Sequence, residues 1–227
     1  SQATRALLDA LLALDAAGDV SHGVLLFAFS AAPGLVPALV ARGFDVEPYQ
    51  YMARDLPCPG AAIRGFTWSA SAARGIPDLL AASYGQATVT RPFARGDRPE
   101  EWRHYVAQLL GGTACGEFAP ALSASALSED GHLDGVVLTT TIAPRSAHIA
   151  QVAVAPGRHG QGLASGMLGE VLRRASDAGV ERVSLLVSGR NRRARGIYER
   201  AGFRETARFV AAGRPAYPRR STSPAFE

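Results

Sequence analysis

The stretch from Ala147 to Ala164, AHIAQVAVAPGRHGQGLA, constrains this chain more than any other. Ile149 to Ala155 reads as a strand and Pro156–Gly157 as its break. The turn Gly160–Gln161–Gly162 then opens directly into a helix. Backbone N–H groups at a helix start have no intrahelical partner and lie at the positive end of the helix dipole, so glycines there let a phosphate approach the main chain. Strand, glycine turn and helix together predict a phosphate cradle.

A Walker A loop needs a lysine and a hydroxyl after its second glycine. Leu163 and Ala164 stand there instead, and the chain contains no lysine at all, so that reading is excluded. Gly160, Gly162 and Gly166 approximate a dinucleotide fingerprint with one extra residue before the last glycine, which stands as a weaker alternative. That motif wants an acidic residue after the next strand, where this chain has Arg190, Asn191 and Arg192.

A second stretch runs from Val187 to Phe203, VSGRNRRARGIYERAGF. With the first it resembles the GCN5-related N-acetyltransferases, the GNAT superfamily, over roughly residues 60 to 212. The acetyl-CoA signature of that family is Arg or Gln, any two residues, Gly, any one, then Gly or Ala. Here it is met by His159, Gly160, Gln161, Gly162, Leu163 and Ala164, with His159 in place of Arg or Gln and Arg158 one residue early. Asn191, Ala194, Tyr198, Gly202 and Phe203 look like the family's fifth strand and fourth helix. The implied fold is α/β with a mixed, mostly antiparallel sheet flanked by helices, its fourth and fifth strands parallel and splayed apart at one end.

Composition agrees with a soluble chain carrying a sizeable core: 47% of residues are hydrophobic and the net charge is +4. All 24 basic residues are arginine, better explained by coding bias than by selection for phosphate. A charge this modest gives no reason to expect nucleic-acid binding. Cys58 and Cys115 form neither a disulfide framework nor a metal-ligand spacing, so no metal is expected. Gly23 to Ala41 is free of charge but is interrupted by Pro33, Gly34 and Pro37, which argues for a buried strand and short helix rather than a membrane span. With no signal peptide visible, the expectation is a cytoplasmic protein.

Residues 4–17 carry apolar positions at helical spacing. A strand follows at Gly23–Ser30, then a helix at Leu35–Ala41, then Gly43–Phe44 and the run DVEPYQYMARDL. The order of helix, strand, helix, Gly–Phe and strand recurs around residues 179–204. Residues 1–57 are therefore expected to be a small αβαβ unit resembling a degenerate half-GNAT that binds no CoA, joined by a proline-rich linker at 58–62 to an acetyltransferase domain at 63–212. A C-terminal tail is expected at 213–227. Within the main unit a strand is predicted at Ile63–Trp68, and helices at Ser69–Gly85 and Arg98–Leu110, the second with Asp97 available as cap. The segment Gln86–Gly96 reads equally as a substrate-selecting or an ordinary solvated loop. Ala121–Leu127 and Gly135–Thr141 predict a hairpin turning at Asp130–Gly131.

The chemistry implied by the resemblance is direct transfer of an acetyl group from acetyl-CoA to the amine of a small molecule or peptide. Backbone groups of Val152, Ala153 and Val154 would hold the CoA arm. The glycine turn, with Arg158 beside it, would hold the phosphates. Asn191 would hydrogen-bond the arm or the strand backbone, and Tyr198 would return a proton to the departing thiolate. Two groups compete for the role of base, His148 at the start of the central strand and Glu117 acting through water. An acyl-CoA-binding module without turnover, or a transferase of a longer acyl group, is the alternative. Oligomeric state is open, a homodimer included.

Overall fold

The computed structural model describes residues 2–16, 24–29, 34–57, 65–84 and 99–214. The expected linker at 58–62, the loop at 86–96, Asp97 and nearly all of the expected tail lie outside them. In chain order the elements are α1 (Gln2–Ala16), β1 (Val24–Phe29), α2 (Leu35–Val40), β2 (Asp45–Asp55), α3 (Ile76–Tyr84), α4 (Pro99–Leu110), β3 (Glu117–Phe118), β4 (Ala124–Leu127), β5 (Leu133–Ala143), β6 (Ser146–Val154), α5 (Leu163–Asp177), β7 (Arg182–Ser188), α6 (Arg192–Arg200) and β8 (Arg204–Arg214).

Eight strands form one mixed sheet in the order β1–β8–β2–β7–β6–β5–β3, with β4 also pairing β5. Each face carries its own core. On one face α5 and α6 pack Met167, Leu168, Val171 and Tyr198 against Val137, Ile149, Val154, Leu185 and Val187. On the other, α3 and α4 pack Ile76, Leu80, Trp102 and Leu109 against Val136, Leu138 and Ala153. With both faces covered, β5 is buried continuously from Gly135 to Thr140 rather than alternating.

The strands expected in a small N-terminal unit join the main sheet. β2 pairs antiparallel with β7 over Tyr49–Asp55 and with β8 over Asp45–Ala53, so it is an interior strand of the common sheet and not part of a separate layer. At eleven residues it is long enough to satisfy both neighbours and to keep β7 from meeting β8. α1 and α2 cover this end through Leu8, Leu35 and Leu39, which with Phe44 pack on Val210 and Ala212.

Further along, the strand expected at 63–68 contributes a single bridge, Thr67 to Ser125, among its described residues. The helix expected from Ser69 begins as a 3-10 turn, Ala70–Gly75, and becomes α-helical only at Ile76. Pro77 is the cause: it lacks an N–H and is tolerated in the first turn of a helix but not inside one. Pro120 likewise turns the start of the expected strand at 121 into a helical turn, leaving β4 to begin at Ala124.

β6 and β7 are parallel, but they pair only from Ser146/Arg182 to Ile149/Leu185. Beyond that point β6 stays with β5 and β7 stays with β2, and a gap opens between them. A β-bulge marks the place: Leu138 pairs Gln151 while Thr139 pairs Ile149, leaving Ala150 as the extra residue. A bulge bends its strand and exchanges its faces. Ala147 and Ile149 accordingly join the α5–α6 core, whereas Ala153 joins the α3–α4 core.

Candidate active site

The gap between β6 and β7 is the centre of a cleft of about 900 Å³. It runs through the sheet, bordered on one face by the glycine turn and the N-terminal ends of α5 and α6, and on the other by Tyr84, Trp102, Tyr105 and Cys115. Tyr49, Tyr51 and Phe209 close it on the β2 side.

β6 presents two carbonyls to the gap. The Tyr84 hydroxyl lies 3.2 Å from the Val152 oxygen, and Ser83 Oγ donates to the Val154 oxygen at 3.0 Å. In an antiparallel strand the N–H and C=O of one residue lie on the same edge, so the amides of Val152 and Val154 face the gap as well. Ala153, paired with Val136, points its backbone the other way and is buried. Of the three residues Val152, Ala153 and Val154, the first and last turn their backbone to the gap.

The glycine turn is open. Gly160 and Gly162 have φ of 83° and 80°, and a Cβ added at either would meet nothing within 4 Å. Their positive φ is a conformation that L side chains adopt only at a cost. Gly162 is the N-cap of α5 and makes no side-chain cap, so the first amides of that helix, from Leu163 to Ser165, stand at the cleft without one. The flanking side chains have other partners. Arg158 Nε and Nη2 bind Asp134 Oδ2 at 2.9 and 2.8 Å, which ties the turn to β5. His159 Nε2 lies 3.0 Å from the Val154 carbonyl and ties it to β6. Gln161 is exposed, reaches only the Gly157 carbonyl among the described residues, and lines a smaller neighbouring cavity of about 280 Å³.

Asn191 borders the cleft and caps α6, its side-chain Oδ1 accepting from the Ala194 amide at 3.0 Å while its backbone N–H donates to the carbonyl of Ser188 at the end of β7 at 3.0 Å. Two turns further in, Tyr198 is buried, packed edge-on against Phe203, and borders the same cleft. Its hydroxyl has no hydrogen-bond partner among the described residues. Burial, with a smaller contribution from Tyr84 across the gap, holds this phenol well above its ordinary range, so it is protonated at neutral pH.

His148 lines the cleft on the α3–α4 face, half-buried, with Nδ1 2.9 Å from Ser184 Oγ and its ring stacked on Tyr51 at 5.9 Å. Desolvation pushes the imidazole down to about 4. The ring is therefore uncharged at neutral pH. The other candidate base is not brought to the cleft: Glu117 is exposed on β3, at the sheet edge, opposite Thr141. β3 itself follows a glycine-rich turn and is too short for its alternation to be seen in sequence.

Several cleft residues have no motif to announce them. Tyr51 donates to Ser184 Oγ at 2.8 Å. Behind the lining residues Ser188 and Arg190, Glu47, only 2% exposed, accepts from Ser188 Oγ at 2.5 Å and pairs with Arg190 Nε at 3.1 Å. Gln151 bridges two tyrosines, Oε1 3.1 Å from the Tyr84 hydroxyl and Nε2 2.9 Å from that of Tyr105. Tyr49 and Tyr51, which line the cleft, both come from β2, so the N-terminal residues expected to be a structural remnant build part of the cleft wall.

A mixed sheet opened between two parallel strands, with a glycine-bounded helix start beside the opening, defines the GNAT class of acyltransferase folds. The chain belongs to that family: the acetyltransferase (GNAT) family model matches residues 86–203. Uncharacterized N-acetyltransferases of Mycobacterium bovis and Mycobacterium tuberculosis are 33% identical to it over 75 residues, which make up 33% of this chain and 48% of theirs. The chain thus spans about half the length of the curated relatives it matches. Among solved structures, a GCN5-related N-acetyltransferase from Sphaerobacter thermophilus superposes with a TM-score of 0.63 at 21% identity, over 91% of this chain and 64% of that one. A GNAT-family protein from Novosphingobium aromaticivorans gives 0.58 at 20% identity, over 88% and 77%. Among the described residues, no helix is long and apolar enough to cross a membrane.

Proposed function

We propose that the protein moves an acetyl group from acetyl-CoA directly to a primary amine. The observation that carries this reading is the parting of β6 from β7 after Ile149 and Leu185, which leaves the Val152 and Val154 edge facing a cleft with an open glycine turn at one side and Tyr198 at the other. An extended, amide-bearing arm ending in a thioester fits such an edge by adding to the sheet as a strand. A pyrophosphate fits the amides of Gly160 and Gly162 and the start of α5, where a side chain would otherwise stand.

In this reading the Val152 amide polarises the thioester carbonyl. The amine nitrogen attacks the carbonyl carbon, the new C–N bond replaces C–S, and the products are an amide and free CoA. As that bond forms the nitrogen becomes acidic, and the neutral imidazole of His148 takes its surplus proton directly or through one water. A ring titrating near 4 is a weak base, suited to removing a proton at that moment and not from a free ammonium ion. Tyr198 supplies the proton to sulfur. The burial that raises its pKa also disfavours a thiolate beside it, so donor and acceptor are shifted in the same direction.

Thiol release from acetyl-CoA over a panel of amines tests the proposal. Turnover with at least one amine is expected, and Tyr198→Phe should lower kcat by on the order of 100-fold with CoA affinity unchanged. CoA binding without turnover on any amine would leave a binding module in place of an enzyme.

A further inference from the structure

The acceptor side of the cleft is aromatic, and its described lining carries no anion. On the face away from the glycine turn, Tyr51 lies 5.9 Å from the His148 ring and 5.9 Å from Phe209, while Tyr84 stacks on Trp102 at 5.5 Å with Tyr105 beside them. These walls come from β2, β8, α3 and α4, so they converge on the gap from both sides. Among the described residues that line the cleft none is a carboxylate, whereas Arg158, Arg190, Arg193 and Arg200 all border it. Two acids sit directly behind the lining and are already engaged: Glu47, 2% exposed, holds Ser188 and Arg190, and Asp134 holds Arg158.

Such a chamber selects by chemistry. An aromatic body gains from burial against these rings and from edge-to-face contact with them, and a single ammonium can rest over a π face before it loses its proton. A second or third cationic centre would have to leave water for a site whose described lining offers no carboxylate to receive it, with Arg193 and Arg200 at its border. Resting on the transferase reading above, we infer that the acceptor is a small monoamine with a flat, uncharged aromatic body, seated among Tyr49, Tyr51, Tyr105 and Phe209, rather than a polycation.

Two measurements on the full chain test this. In thiol-release assays with acetyl-CoA, 2-phenylethylamine should exceed butylamine in kcat/KM by on the order of 30-fold, the value of burying one ring. Spermidine should fall below butylamine. In parallel, binding of 2-phenylethylamine and of spermidine to the CoA-saturated protein is followed by tyrosine and tryptophan fluorescence. Phe209→Leu should reduce the phenylethylamine preference several-fold while leaving CoA affinity intact. Preference for spermidine in either measurement, or failure of 2-phenylethylamine to bind, overturns the acceptor assignment whatever the fate of the transferase reading. Selective binding of 2-phenylethylamine without turnover of any amine would uphold the chamber and refute the transferase.

Discussion

His148 and Ser184 face each other as register partners on parallel strands, Nδ1 2.9 Å from Oγ, one pair before those strands separate. Ser184 Oγ also receives the Tyr51 hydroxyl at 2.8 Å and lies 3.4 Å from the Ala147 carbonyl, its own acceptor. With its one proton directed to Ala147, Oγ accepts from His148 Nδ1–H, and the lone pair is left on Nε2. The serine thus sets which nitrogen can act as a base, a role that depends on β2 supplying Tyr51.

The depressed pKa of His148 has a signed effect on stability. Between about 6.5 and 4 the unfolded chain binds a proton that the folded ring refuses, so stability rises with pH through that window and falls as the solution is acidified. The loss on going from pH 7 to pH 4 attributable to this group should be roughly 2 kcal/mol, below the full value of about 1.4 kcal/mol per unit because the ring is partly solvated. Melting curves of the wild type and His148→Gln across that range should converge at low pH. In activity, an acid limb of kcat/KM near 4 should be present in the wild type and lost in the variant.

Gly162→Asp separates folding from binding. An added Cβ has open space, and a carboxylate at a helix start favours the dipole, so the fold should survive with a cost of about 1–2 kcal/mol for the left-handed φ. The same carboxylate occupies the position proposed for a phosphate. CoA affinity measured by calorimetry should fall at least about 100-fold, equivalent to roughly 3 kcal/mol, while circular dichroism stays native.

Asn191 distinguishes a cap from a ligand. Asn191→Ala removes the bond to Ala194 and should cost about 1 kcal/mol of stability, whereas Asn191→Ser or Asn191→Asp should recover most of it. If CoA affinity follows stability across the three variants, the residue acts through α6. A loss of affinity in Asn191→Ser at wild-type stability would show direct contact.

Legibility in the sequence followed distance along the chain. The strand, glycine turn and helix from Ser146 to Asp177 are local, and their periodicity and glycines displayed both the elements and the open turn. Tyr198 and Asn191 could be placed because α6 begins directly behind β7. By contrast, the pairing of Tyr51 with Ser184, or of Glu47 with Ser188, depends on a register between segments more than 130 positions apart, and no local pattern encodes it. Glu117 is the reverse case: the resemblance suggested an acid at that position acting through water, but two-residue β3 pairs it with Thr141 at the sheet edge, outside the cleft lining. The bulge at Ala150 was equally hidden, because burial still alternates along β6 while the faces exchange.

Removal of residues 1–55 should leave no folded protein, since it strips a strand from between β7 and β8 and takes Met52 from the α5–α6 core. Broad, unstructured amide resonances in such a truncation would confirm that outcome. Dispersed spectra with retained CoA affinity would show instead that β7 and β8 can pair directly.

The position of β2 also fixes an order of events during synthesis. A strand made early must wait for both of its neighbours, β7 and β8, to emerge more than a hundred residues later, holding Tyr49, Tyr51 and Met52 exposed or loosely collapsed meanwhile. Assembly on the ribosome therefore finishes at the interior of the sheet and not at its rim. A nascent chain stalled before β7 would offer two unsatisfied strand edges to any holdase or aggregating neighbour within reach.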